Sequence, residues 1–277
     1  MIQEYYKNQL EIGYNGRLNE LFEAWISSYP EKDRHLFCQD GLPVKYKDET
    51  SGYDINEAWD KSERRIMFLL KDCPDEWGYD TRKLLVGDED NEQSLINAEN
   101  TRNLKGFYKN ISILLYGLYN YPSCKYNHTN FKECKKEFIE TFNNVPFAYI
   151  ESKKLAGDKS CPPKALKVAL ERDRDFLSKE IEILGPDIIA CCNGEFDYVA
   201  ENFFQGAPDD KWEYRYATDQ WEQCDFNCRL FYYKKEGIVL IDSYHPSTRK
   251  ADWIFYEKVM SPFRHFIEKY GTFDSHK

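Results

Sequence analysis

Nowhere in the chain is there a run of about 18 apolar residues, the length that a membrane-crossing helix requires. The start, MIQEYYKNQL, also lacks the basic and then apolar stretch of a secretory signal, so a cytoplasmic protein without membrane contact is expected. Glycine and proline are sparse, at 14 and 11 of 277 residues, which excludes a collagen-like or linker-rich chain. Basic side chains are in the minority: 38 against 48 acidic ones leave 38 − 48 = −10. That deficit excludes broad, sequence-blind clamping of a phosphate backbone, because such binding scales with the Lys and Arg presented. A nucleic-acid partner therefore requires a local basic face.

Cysteine occurs in an odd number, nine: Cys38, Cys73, Cys124, Cys134, Cys161, Cys191, Cys192, Cys224 and Cys228. Without an export signal a disulfide framework is not expected. There is no C-x-x-C pair, and Cys224-x-x-x-Cys228 has no second close pair to complete a zinc or iron–sulfur set, so the thiols read as free and mostly buried, with no metal. What the chain has in quantity is core-forming material. Hydrophobic residues make up 42%, enough for one large domain or two small ones.

The spacing of Leu18, Leu21, Phe22 and Trp25, ended by Tyr29-Pro30, predicts a helix in a helical N-terminal extension over residues 1–60, packed on a core domain over 61–277. Ile66-Met67-Phe68-Leu69-Leu70 is too continuously apolar for a half-exposed strand and predicts one covered on both faces. Polar residues 78–103 read as a surface loop. Phe107, Ile111, Leu114, Leu115 and Leu118 then mark one face of a helix. Further strands are expected at 145–150, 187–192 and 237–241. Between the first two of these, Pro162-Pro163 opens a long helix that Gly185-Pro186 closes. Residues 196–235 lack a clean period and read as an insertion, a helix followed by a hairpin-like excursion; an amphipathic helix over 252–270 ends the core.

Strands alternating with helices predict a layered α/β domain with a mostly parallel sheet. In such sheets ligands bind beyond the carboxyl ends of the strands, so the residues that follow each strand are the candidates. They are Lys71, Asp72, Cys73, Pro74, Asp75 and Trp77 after the first; Glu151, Ser152, Lys153 and Lys154 after the second; Asn193 after the third; and Asp242 to Ser247 after the fourth. Asp72 can orient or deprotonate a water, or simply cap its own turn. His245 alone of five histidines directly follows a buried strand, where it can stabilise a leaving group or be held as an ordinary loop histidine. Lys153 to Lys167 contains five lysines and one acid, a local +4, and Arg249 and Lys250 follow the histidine. These supply the basic face, against a solvated loop as the plainer reading.

Taken together, Phe68-Leu69-Leu70-Lys71-Asp72-Cys73-Pro74, the strand and lysine-rich loop from Tyr149 to Pro163, the run from Phe176 to Ile189, and His245-Pro246-Ser247 resemble the uracil-DNA glycosylase superfamily of DNA-repair enzymes over roughly residues 62–268. The resemblance implies a three-layer α/β/α fold with a central, mostly parallel four-stranded sheet, and hydrolysis of the N-glycosidic bond of a base flipped out of DNA. It implies that Asp72 positions water, that His245 stabilises the departing base, and that Ser247, Arg249, Lys250, Lys153 and Lys154 contact phosphate. No cofactor is implied. Lys71, Cys73, Pro74, Asp75, Trp77, Glu151, Ser152 and Asn193 fall where substrate would lie. Glu151 or Ser152 stands where relatives place a base-reading asparagine, and Trp77 and Phe107 are both candidates for stacking on the base. The expected partner is DNA, bound weakly and salt-sensitively. The alternative is a protein of the same fold that binds a nucleotide or nucleic acid without cleaving it. A hydrolase of another small substrate at the same rim is a third reading.

Overall fold

The computed structural model describes residues 2–45, 53–73, 78–85, 106–126, 132–157, 161–216 and 226–271. In chain order these form α1 (Ile2–Glu11), α2 (Gly13–Ser28), α3 (Ile55–Asp60), β1 (Ile66–Asp72), α4 (Gly106–Asn120), α5 (Lys135–Asn144), β2 (Ala148–Lys153), α6 (Pro163–Leu184), β3 (Ile188–Cys191), α7 (Phe196–Asn202), β4 (Asp210–Tyr216), β5 (Phe226–Tyr233), β6 (Ile238–Asp242) and α8 (Asp252–Tyr270). No helix among the described residues is long and apolar enough to cross a membrane.

The strands join one sheet in the order β2-β1-β3-β6-β5-β4. β2, β1, β3 and β6 run parallel, and their continuous apolar runs are buried on both faces, as parallel strands between helices must be. The sheet has six strands rather than the expected four. The excursion after α7 does not stand apart: β5 pairs antiparallel with β6, and β4 with β5. The cause is in the side chains. Phe226, Cys228 and Leu230 of β5 bury one face, whereas β4 alternates aromatic and charged residues and so suits an edge. The opposite edge, β2, is covered by residues 37–41, which bridge to it antiparallel at Phe37–Leu155 and Gly41–Tyr149.

On one face Phe68 and Leu70 meet Tyr108, Ile111 and Leu115 of α4, Phe138 and Phe142 of α5, and Phe255, Val259 and Phe263 of α8. On the other, Met67 and Leu69 meet Leu18, Phe22 and Trp25 of α2, Leu166, Leu170 and Leu177 of α6, and Val199 of α7. Pro163 starts α6, and Gly185, in the left-handed region at φ 53°, ends it. Helix α5 carries only three buried side chains, and nothing in the sequence pattern announced it.

Lys154, expected at a phosphate, lies in this interior. Its ammonium donates to both carboxylate oxygens of Asp40 at 2.6 Å and pairs with Glu180 of α6 at 2.8 Å, and none of the three side chains is exposed. It cannot reach a surface ligand. Burial opposes its charge, but Asp40 and Glu180 outweigh that and hold it protonated; Glu180, chiefly through burial, is pushed well above the carboxylate range. Replacing Lys154 with Met strands Asp40 without its counter-charge. Urea denaturation of Lys154→Met is expected to show a loss of about 3–5 kcal/mol; a loss within about 0.5 kcal/mol, as for ordinary surface changes, would refute the role given to this ion pair.

Candidate functional site

Because the four central strands are parallel, their carboxyl ends meet at one edge. The register fixes which residues share a face there. Leu70 is level with Glu151 and Asp72 with Lys153, while Phe68 is level with Ala190 and Ala190 with Ile241. Side chains two residues apart in a strand share a face. Glu151, Asp72, Lys153 and Cys192 therefore lie on the face covered by α4, α5 and α8, whereas Lys71, Ser152, Cys191 and Asp242 alternate to the other.

Asp72 does not stand alone. Its Oδ2 accepts from Lys153 Nζ at 3.2 Å, and Lys153 also donates to the Leu155 carbonyl at 2.5 Å. The Cys161 thiol hydrogen-bonds the same carboxylate; burial and Asp72 together push that thiol up to about 11. The close approach depends on Gly157, where an added Cβ would come within 2.7 Å of Lys153 Nζ and 2.9 Å of Asp72 Oδ2. Cys161 and Gly157 belong to the loop after β2, and no local sequence signal ties them to Asp72.

His245 follows β6 and is half-buried. Its Nδ1 lies 2.7 Å from Ser247 Oγ and accepts, at 3.3 Å, from the Ser247 backbone N–H. An Nδ1 that accepts leaves the proton of the neutral ring on Nε2, which is then a donor. Burial, helped by the Lys71 ammonium, lowers the imidazole from 6.5 to about 4, so it is neutral at physiological pH. Helix α4 supports it. Phe107 lies against the ring at a centroid distance of 6.0 Å, and Asn110, one turn on, donates to the Pro246 carbonyl at 2.6 Å. Asn110 was not anticipated, since an asparagine inside an apolar helix pattern reads as incidental.

Next to these strand ends, Glu151 of β2 is buried, with Oε2 lacking a hydrogen-bond partner among the described residues, and its backbone N–H donates to Asp40 Oδ2 at 2.6 Å. Burial, then Asp40 and Cys38, raise its carboxyl well above the usual range and so disfavour its ionised form. Ser152 and Asn193 hold each other: Asn193 Nδ2 donates to Ser152 Oγ at 2.9 Å, which donates to the Leu70 carbonyl at 2.6 Å. Their side-chain groups are thus largely committed to the frame. Cys73 is buried and hydrogen-bonded to the Cys38 thiol; the bond lowers Cys38 and raises Cys73.

Ser247, Arg249 and Lys250 are exposed and, with Gly106, Phe107, Lys109, Asn110 and Asp252, line an open groove of about 350 Å³ at the starts of α4 and α8. Lys109 pairs with Asp252 across it at 2.6 Å. Asp242, beside His245 in sequence, is held by Lys258 at 2.8 Å and Arg229 at 3.1 Å. Pro74, Asp75 and Trp77 lie outside the described residues. Among the described residues, no group of three or more His, Cys, Asp or Glu is placed to hold a metal ion.

No family model matches the chain, and no curated protein is detectably similar to it.

Two outcomes follow from this geometry. In an NMR titration the His245 ring should remain neutral, protonated on Nε2, from pH 7 down to about 4; a midpoint near 6.5 would contradict the assignment. Gly157→Ala should separate Asp72 from Lys153 and lower thermal stability, and unchanged melting together with an unchanged Lys153 amine signal would show that the approach is not tight.

Proposed function

We propose that this protein hydrolyses the N-glycosidic bond of a base flipped out of nucleic acid, DNA in the first instance, in the manner of the uracil-DNA glycosylases that its sequence resembles. The observation that carries the reading is the state of His245. A neutral imidazole whose Nδ1 is occupied by Ser247 offers Nε2–H to the negative charge that grows on a departing base, without first having to lose a proton. Asp72, on the rim that the same parallel strands create, has one oxygen held by Lys153 and positions the attacking water. A parallel four-strand core with helices on both faces, lengthened by an antiparallel pair, is compatible with the resemblance. Ser247, Arg249 and Lys250, exposed beside His245, take the flanking phosphates.

A second reading has its own support. Lys153 and the Cys161 thiol already engage the Asp72 carboxylate, which favours a protein that binds the same ligand without cleaving it. The two part on catalysis. Purified protein should release base from oligonucleotides carrying uracil, hypoxanthine, xanthine or alkylated bases. Asp72→Asn and His245→Ala should each slow release by about 10²-fold or more. Binding without any release would sink the hydrolase and leave the silent binder.

Phosphate contact has a separate signature. The salt dependence of binding should be shallow, and Arg249→Gln or Lys250→Gln should each reduce the slope of log K against log salt by about one for every contact removed. A slope unmoved by both substitutions would take these residues off the backbone.

A further inference from the structure

Several lysines near the strand ends are paired: Lys153 with Asp72, Lys154 with Asp40 and Glu180, Lys258 with Asp242 and Lys109 with Asp252. Lys71, the last residue but one of β1, is different. Among the described residues no carboxylate holds it, and it is only half-buried, so the fold does not consume its amine. Its place is set by topology. β1 and β3 are neighbours in the sheet, but the chain leaves β1 for α4 and α5 on one face and leaves β3 for α7 on the other. Connections that part in this way open a crevice between the two strand ends, the usual ligand position in such sheets. Continued by two residues, the β1–β3 register brings Lys71 beside Asn193 and the turn that follows it. Gly194 in that turn has φ 87°, and a Cβ there would lie 4.0 Å from Lys71 Cε, so backbone rather than a side chain lines that side of the lysine. The same ammonium acts electrostatically on His245 and on Cys161, the thiol bonded to Asp72. It is therefore within range of both residues that flank the glycosidic bond in the proposed reaction.

We propose that Lys71 is a nucleophile in this crevice, one that forms an imine with the sugar aldehyde left where DNA has lost a base and then cuts the strand by elimination. This rests on the reading of the crevice as a site for a flipped nucleotide. An abasic deoxyribose is in equilibrium with its open aldehyde, and a lysine amine captures a carbonyl carbon in this way. Lys71 first gives one ammonium proton to water. Its lone pair then bonds to C1′, and the carbonyl oxygen leaves as water with the two protons that remain on the nitrogen. The imine acidifies C2′. Water takes a C2′ proton, the pair left behind becomes a C2′–C3′ double bond, and the C3′–O bond breaks with its pair leaving on the 3′ phosphate. Hydrolysis of the imine returns Lys71 as an amine, so the sequence needs neither oxidant nor reductant. Holding the aldehyde against the amine turns an encounter in solution into a step within one complex. Lys153 and Lys154, the other lysines at this end of the sheet, are tied to carboxylates and do not compete.

The test starts from an abasic site already made, so it does not depend on base release. The whole chain is mixed with an oligonucleotide carrying a natural abasic site, and sodium borohydride is added to reduce any imine to a stable amine. Wild type should be trapped as a covalent protein–DNA complex, with the DNA attached to the peptide that bears Lys71. Without borohydride the strand should be cut at the abasic site faster than in protein-free buffer. Lys71→Gln and Lys71→Arg should each lower trapping by about tenfold or more, the Arg variant keeping the charge without the nucleophile. A tetrahydrofuran in place of the abasic sugar offers no aldehyde and should not be trapped. If the variants do not fold, the attachment site in wild type still decides. No trapping, attachment to another amine, undiminished trapping in both variants, trapping of the tetrahydrofuran or an uncut strand would overturn the inference. Trapping on Lys71 with no release of damaged bases would overturn the hydrolase alone. Base release without trapping would overturn the imine alone.

Discussion

The rim depends on one buried ammonium. Lys154 follows β2 directly, and its contacts to Asp40, in the segment 37–41 that covers β2, and to Glu180 on α6 lock the end of that strand to both neighbours. A charge in so apolar a setting persists only when its partners outweigh the desolvation, and two carboxyl groups do so here. The consequence spreads along the strand. Asp40, fixed by Lys154, is free to accept the Glu151 backbone N–H, and its negative charge then helps to keep the Glu151 side chain uncharged. The same lock fixes β2 where its last residue, Lys153, meets Asp72, and sets the start of the segment that carries Gly157.

At the end of β6 the control is of a different kind. Among the described residues no carboxylate meets His245 Nδ1; a hydroxyl and a backbone N–H hold it. A carboxylate there would stabilise the imidazolium, whereas burial together with Lys71 does the reverse. Among the described residues at these strand ends, His245 is held neutral while the Asp72 carboxylate is tied to the Lys153 ammonium and the Asp242 carboxylate to Lys258 and Arg229. For the proposed hydrolase, a neutral imidazole donor would suit a substrate that is neutral when bound and becomes anionic as its bond breaks.

Sequence pattern was most informative where burial is uniform. The continuous apolar runs at 66–70, 188–191 and 238–241 have one physical solution, a strand covered on both faces, and Pro163 with Gly185 marks the limits of α6 unambiguously. The strand ends follow from the same logic, so Asp72, Glu151 and His245 could be named in advance as rim residues. What escaped were features set by partners distant in sequence. Lys154 looks like its neighbour Lys153, and only strand alternation sends one to the rim and the other into the core. Asp40 lies 114 residues from the ammonium it neutralises, inside a stretch with no periodicity. Helix α5 is short and half-polar, and β4 and β5 reveal their place only once β6 offers an edge to extend.

The net charge of −10 takes on a different meaning in this setting. Two of the lysines that made 153–167 look like a basic face are consumed within the fold, Lys153 by Asp72 and Lys154 by Asp40 and Glu180. Among the described residues, Arg249 and Lys250 remain exposed beside His245. Under the proposed function, that edge is where the described cations could hold a polyanion. Its binding would then draw mostly on the part that reaches His245, where burial makes each satisfied hydrogen bond count for more than at the surface. Under that proposal an acidic chain can act on nucleic acid because little of its recognition is asked of charge.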